Sequence, residues 1–121
     1  MRRARIAVLG AGWWAAQVYI PALLARSDVD LVAVNRRNQA ALDRILARFA
    51  IPHGYPDYRE LLANETLDGV VIASPHTVHF EQAMAALDAG CHLLVDKPMT
   101  TSANDARTLV ARADAIGRQI I

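Results

Sequence analysis

The chain is expected to fold as a doubly wound parallel α/β sheet with helices on both faces. Three observations carry this. A short apolar run, Ile6 to Leu9, passes through Gly10-Ala11-Gly12 into a helix-forming segment. Four-residue apolar runs then alternate with segments of helical period along the whole length. Hydrophobic residues make up 54% of the sequence, as a sheet covered on both sides requires, because its strands are apolar throughout. At 121 residues the chain is long enough for one core and too short for two, so residues 1–121 read as one domain.

The elements follow in order. Ile6 to Leu9 forms the first strand, and Trp13 to Arg26 the first helix, with Pro21 expected to bend or interrupt it. Leu31 to Val34 is the second strand. Asn38 caps a helix through about Ala50, in which Ala41, Leu42, Ile45, Leu46 and Phe49 recur on one face. Residues 51–55 leave room for a short third strand, and a brief helix begins at Asp57. Gly69 to Ala73 is the fourth strand, followed by a helix from Thr77 to Ala89 that Gly90 closes in a left-handed conformation. His92 to Val95 is the fifth strand. Ser102 starts the last helix, which ends at Gly117, and Gln119-Ile120-Ile121 opens a sixth strand. Right-handed crossovers between alternating elements imply the order 3-2-1-4-5-6.

In such a sheet ligands bind beyond the carboxyl ends of the strands, so each strand end is a candidate part of the site. After the first strand, Gly10 supplies a tight turn and Gly12 a position where backbone can approach a pyrophosphate. Ala15 supplies a small residue where helix meets strand. The backbone of Gly10, Ala11, Gly12, Trp13 and Trp14 then aims N–H groups and a positive helix end at the anion. The second strand ends in Asn35-Arg36-Arg37, where an acid would hold a ribose 2′-hydroxyl. An uncharged amide followed by two guanidinium groups favours a 2′-phosphate, hence NADP over NAD, although two solvated arginines opening a helix are the plainer reading.

The fourth strand ends in Ser74-Pro75-His76, with His79 one turn on; Pro75 seats a helix start, and at least one imidazole is expected to face the nicotinamide half of a cofactor. Surface histidines near a helix start are also commonplace. A metal site from His76, His79, Cys91 and His92 has no recognised ligand spacing, so no metal is expected. The fifth strand ends in Asp96-Lys97-Pro98. Lys97 is the only lysine of the chain, and lysine, unlike arginine, can give up a proton. In a cleft it would serve a substrate oxygen or the nicotinamide ribose, while on a surface it would pair with Asp96. The Lys97–Pro98 bond is expected to be cis, because the chain must turn sharply out of a buried strand there.

Net charge is +1, which gives no bulk-charge reason for a nucleic-acid or membrane partner. Cys91 is the single cysteine and cannot form an internal disulfide, in keeping with a reducing cytoplasm. The apolar stretch behind Arg2, Arg3 and Arg5 is too short and too glycine-broken for a signal peptide or membrane span, so a cytoplasmic protein is expected.

Together, Gly10-Ala11-Gly12, Ser74-Pro75-His76 with His79, the run from Ala85 to His92, and Asp96-Lys97-Pro98 resemble the N-terminal Rossmann domain of the glucose-fructose oxidoreductase / inositol dehydrogenase (Gfo/Idh/MocA) family. The resemblance covers essentially the whole chain. It implies that Lys97, matching the lysine of the family's Glu-Lys-Pro motif, stands beside the nicotinamide and the reacting carbon as a catalytic residue. Asp96 departs from the usual Glu, and its shorter carboxylate reaches less far toward the ribose. The resemblance further implies a second α/β domain outside these residues, supplying substrate contacts, further catalytic groups and a homo-oligomer interface. The activity implied is hydride transfer between NAD(P) and a sugar, cyclitol or related hydroxyl or carbonyl. The alternatives are a stand-alone nucleotide-binding or redox-sensing module, for which a lone lysine in the cleft has no use, and a methyltransferase. The last leaves Asp96-Lys97-Pro98 unexplained and wants an acid at Asn35.

Overall fold

The computed structural model describes residues 2–121. Five parallel strands form one sheet in the order β3-β2-β1-β4-β5, with β1 Ala4–Leu9, β2 Val29–Asn35, β3 His53–Tyr55, β4 Gly69–Ile72 and β5 His92–Val95. This is the expected doubly wound arrangement. Ile120 bridges Leu93 in parallel register, and Leu93 N–H donates to the Gln119 carbonyl, so the chain's last residues lie where a sixth strand would.

The two faces are separately packed. Val8, Leu31, Val34 and Val71 meet Ala15, Ala16, Ile20, Leu42 and Ile45 on one side. Ala7, Leu9, Val70 and Ile72 meet Tyr58, Leu61, Ala83, Ala86, Leu87 and Leu109 on the other. Side chains alternate across a strand, yet Val32 and Ala33 share a face. The reason is a register shift: Ile6 pairs with Leu31 and Ala7 with Ala33, leaving Val32 as the extra residue of a bulge.

The helices start and stop where their capping residues dictate. The Asn38 side chain accepts the Ala41 N–H to open α2, Gln39–Phe49, which closes on Ala50 with φ +54°. Asp57 caps α3, Tyr58–Asn64, and Ser102 caps α5, Ala103–Ile116, which ends on Gly117 at φ +67°.

Two elements differ from expectation. Pro21 does not break the first helix. Trp13 opens a helix whose first stretch, Ala15–Tyr19, is a π turn, with Ile20 N–H donating to the Ala15 carbonyl, before α1, Ile20–Leu24. Proline has no N–H for the Gln17 carbonyl four residues back and its ring crowds that oxygen, and the widened turn just before it relieves both. The helix after β4 likewise begins as a 3₁₀ turn, His76–Val78, closed by Val78 N–H on the Pro75 carbonyl, before α4, His79–Asp88. No helix among the described residues is long and apolar enough to cross a membrane.

Candidate functional site

The carboxyl ends of β1, β2, β4 and β5 converge on a cleft of about 970 Å³, the upper part of the size range of cofactor sites. Gly10, Gly12, Trp13, Trp14, Asn35, Arg36, Arg37, Ser74, Pro75, His76 and Asp96 all line it. Eleven of the residues singled out from the sequence are thus gathered in one place from four loops.

The two glycines of the turn serve different ends. Gly10 has φ +77°, and a Cβ there would lie 2.4 Å from the Ser74 Cα, so glycine is required for β1 and β4 to end side by side. Gly12 needs no such freedom for packing: a Cβ on it would meet nothing nearer than Arg36 Nη1 at 3.7 Å. The space in front of Gly12 opens into the cleft, against the first N–H groups of the helix, which have no partner within it. Backbone bared beside unpaired donors at a helix N-terminus fits a pyrophosphate. Trp13 and Trp14 flank that space and are 72% and 47% exposed, with ring centroids 6.3 Å apart.

Asn35 is a fastener. Its Oδ1 accepts the Gly10 N–H at 3.1 Å, while Nδ2 donates to the Tyr55 and Pro56 carbonyls at 3.0 and 3.1 Å. Both amide hydrogens are spent within the protein, which ties the ends of β1, β2 and β3 together and leaves ligand contacts to the residues that follow. Arg36 folds back over the turn, with Nη1 donating to the Ala11 carbonyl at 3.0 Å, and Arg37 is exposed beside it. Ala11 itself is fully buried, so its part is to present that carbonyl and continue the turn rather than to touch a ligand by its side chain.

His79 departs from expectation. Its ring has no exposed surface and does not line the cleft; Nδ1 lies 2.7 Å from the Pro98 carbonyl and Nε2 2.7 Å from the Ser74 carbonyl. It fastens the β4 end to the Lys97–Pro98 turn, which contains a cis peptide bond as expected. His76, edge-on to it at 5.6 Å between centroids, is the imidazole that faces the cleft. The Ser74 hydroxyl is held by Gln82 of α4. Among the described residues no three His, Cys, Asp or Glu side chains are grouped to hold a metal.

Contrary to expectation, Lys97 does not line the cleft: it follows the lining residue Asp96, is exposed, and has no ion pair or side-chain hydrogen bond among the described residues. It is not paired with Asp96, whose Oδ1 accepts the Tyr19 hydroxyl at 2.9 Å. The opposite wall was not legible beforehand. Tyr58 donates to Glu81 Oε1 at 2.7 Å, and Arg59, stacked on the Tyr58 ring, reaches the same oxygen. Both tyrosines that touch glutamates are hard to ionise. Tyr55 is pushed up to about 12, first by its bond to Glu65, and Tyr58 to about 12, first by burial and then by Glu81.

Residues 4–121 match the oxidoreductase family with NAD-binding Rossmann fold, Gfo/Idh/MocA. The chain belongs to this family. Among curated Gfo/Idh/MocA relatives, it is 38% identical over 115 residues to dTDP-3,4-didehydro-2,6-dideoxy-alpha-D-glucose 3-reductase of Streptomyces antibioticus, covering 95% of this chain and 35% of that protein. Two solved structures are similar over 99% of it. KijD10, a 3-ketoreductase from Actinomadura kijaniata in complex with TDP-benzene and NADP, is 30% identical with TM-score 0.92, over 38% of that chain. GenD2 from gentamicin A biosynthesis, in complex with NAD, is 32% identical with TM-score 0.92, over 34% of that chain. The chain spans about a third of the length of the first curated Gfo/Idh/MocA relative. These relatives are oxidoreductases and give no support to a stand-alone binding module or a methyltransferase.

Proposed function

We propose that the cleft holds NADP, with NAD as the weaker alternative, and that the chain is the cofactor-binding part of an oxidoreductase acting on a sugar, cyclitol or related hydroxyl or carbonyl. The observation that carries the reading is Gly12: a position kept free of a side chain that the protein's own packing would accommodate, beside a bared helix N-terminus. On this reading Trp13 and Trp14 present backbone N–H groups to the pyrophosphate across the bared Gly12, whose own N–H closes the turn on the Gly10 carbonyl at 2.7 Å. Asn35 holds the turn in place, and Arg36 and Arg37 meet the ribose 2′-position. Ser74, Pro75, His76 and Asp96 border the nicotinamide half.

A nicotinamide bound there would supply or accept the hydride. Lys97, which has no ion pair among the described residues, is the group assigned to the substrate: its ammonium form donates to a carbonyl oxygen, and its neutral amine form takes the proton of a hydroxyl through Nζ. Substrate contacts, further catalytic groups and a homo-oligomer interface belong on this proposal to a second α/β domain of the full enzyme, which is placed in the cytoplasm. Calorimetric titration of the chain with NADP and NAD tests the cofactor assignment. Micromolar or tighter binding of NADP supports it, and heats indistinguishable from dilution for both dinucleotides reject it.

A further inference from the structure

We infer that Tyr19 is a positioning residue for the nicotinamide half of the cleft: its phenol fixes one oxygen of the Asp96 carboxylate so that the other is offered to a ligand hydroxyl. The inference rests on the dinucleotide reading above and names a device within that same site.

Tyr19 and Asp96 lie 77 residues apart and come from different elements. Tyr19 is the last residue of the π turn, on the helix that leaves the glycine turn; Asp96 follows β5. The Ile20 N–H to Ala15 carbonyl bond widens the turn, with Ile20 in the core without exposed surface and the neighbouring phenol half-buried against Asp96, a residue of the cleft lining. There the hydroxyl donates to Asp96 Oδ1 at 2.9 Å.

The backbone of Asp96 is held as well, its N–H donating to the Ile72 carbonyl at 2.9 Å. An aspartate has two side-chain torsions. With the backbone and Oδ1 fixed, the direction of Oδ2 is fixed too. Oδ2 has no hydrogen-bond partner among the described residues, and Asp96 lines the cleft. An ionised carboxylate only accepts, so the ligand group that suits it is a donor, and on a dinucleotide the donor at this end is a ribose hydroxyl. The Tyr19 hydroxyl gains from the arrangement also: burial first, and then the bond to Asp96, hold it protonated above the ordinary tyrosine range, with the Trp14 indole opposing. Asp96 makes no ion pair with Lys97 among the described residues, so the two adjacent residues offer separate groups.

The test compares a whole cofactor with a fragment that lacks the nicotinamide half. NADPH and adenosine 2′,5′-bisphosphate are titrated into the wild-type chain and into Tyr19→Phe, Asp96→Ala and the double variant, with thermal melts to confirm folding. Tyr19→Phe is expected to weaken NADPH by roughly 3- to 10-fold, the range for one net hydrogen bond, while the fragment binds as before. In the Asp96→Ala background the same substitution is expected to change nothing further. A merely structural phenol would lower both affinities alike, and that result, an unchanged NADPH affinity, or additive losses in the double variant overturns the assignment. A wild-type chain that binds neither ligand overturns the nucleotide reading itself, a failure visible before any variant is made.

Discussion

Gly10 and Ser74 meet backbone to backbone, so closely that any Cβ on Gly10 would fall 2.4 Å from the Ser74 Cα. The contact joins the ends of β1 and β4, the two strands between which the sheet's winding reverses. Two residues further on, Gly12 has room for a side chain and none is there. Substitution separates the two roles. Gly10→Ala combines a left-handed φ with overpacking against backbone and is expected to destabilise the fold by about 2–5 kcal/mol. Gly12→Ala is expected to leave thermal stability within about 1 kcal/mol, or to raise it slightly, while weakening NADP at least about tenfold. Chemical denaturation and calorimetry read the two quantities independently. A Gly12→Ala chain that binds NADP like wild type removes the reason given for that glycine.

The arginine corner makes a selectivity prediction. Arg36 already gives one donor to the Ala11 carbonyl, which directs the rest of the guanidinium over the turn rather than into solvent. One charge-assisted bond to a 2′-phosphate contributes about 1.5–3 kcal/mol, so NADP is expected to bind roughly 10- to 100-fold more tightly than NAD. Arg36→Ala should remove most of that ratio by weakening NADP alone. Equal affinities in the wild type, or a ratio untouched in both Arg36→Ala and Arg37→Ala, would sink the assignment.

Alkaline pH tests the hydrogen bonds that the three tyrosines make to carboxylates. Tyr55 and Tyr58 are pushed up to about 12, and Tyr19 is raised as well, so all three tyrosines of the chain resist ionisation when folded. A group whose folded value lies above its unfolded value adds stability that is complete below the unfolded value, near pH 10. That stability is lost as pH rises toward 12. Tyrosinate absorbance should therefore lag behind that of free tyrosine above about pH 10 and then rise together with unfolding. Tyr58→Phe, which frees Glu81 from the phenol, should reduce the stability lost over this interval. Three tyrosines titrating near pH 10 in a still-folded chain would contradict the hydrogen bonds to Glu65, Glu81 and Asp96.

How far the sequence reached depends on the range of the forces involved. Caps, stops and strand runs are local, so Asn38, Asp57, Ser102 and Gly117 marked their helices correctly. The glycine turn and the strand ends are fixed by topology, which brought Arg36, Ser74 and Asp96 to one cleft. The π turn was not legible, because a proline inside a helix can be met by a kink, a break or a widened turn, and packing of Ile20 decides among them. His79 looked like a ligand residue because spacing gives the turn it lies on but not the side it faces; two carbonyls brought together by the fold hold its ring inside. Asn35 was expected to face the cofactor, yet its amide is spent inside the protein, since Tyr55 and Pro56 become its neighbours only when β3 pairs with β2. Tyr19, Tyr58 and Glu81 carried no signal at all, each being set by a partner more than twenty residues away.

The last prediction concerns turnover. Every group assigned to the cofactor lies in the described cleft, while Lys97 is the one group assigned to the substrate and lies outside the cleft lining. Holding a substrate over a nicotinamide contributes about 7–11 kcal/mol through positioning, which is at least roughly 10⁵-fold in rate. Proton transfer through one lysine contributes about 10²- to 10⁴-fold and cannot replace it. The 121-residue chain is therefore expected to bind NADP yet to form NADPH from polyols or sugars at least about 10⁵-fold more slowly than a full-length relative on its own substrate. Absorbance at the nicotinamide wavelength over a panel of such alcohols measures it, with Lys97→Ala as a control that should change nothing detectable in the slow background. Turnover near the relative's rate, abolished in Lys97→Ala, would show that substrate binding resides in this chain and would end the assignment of substrate contacts to another domain.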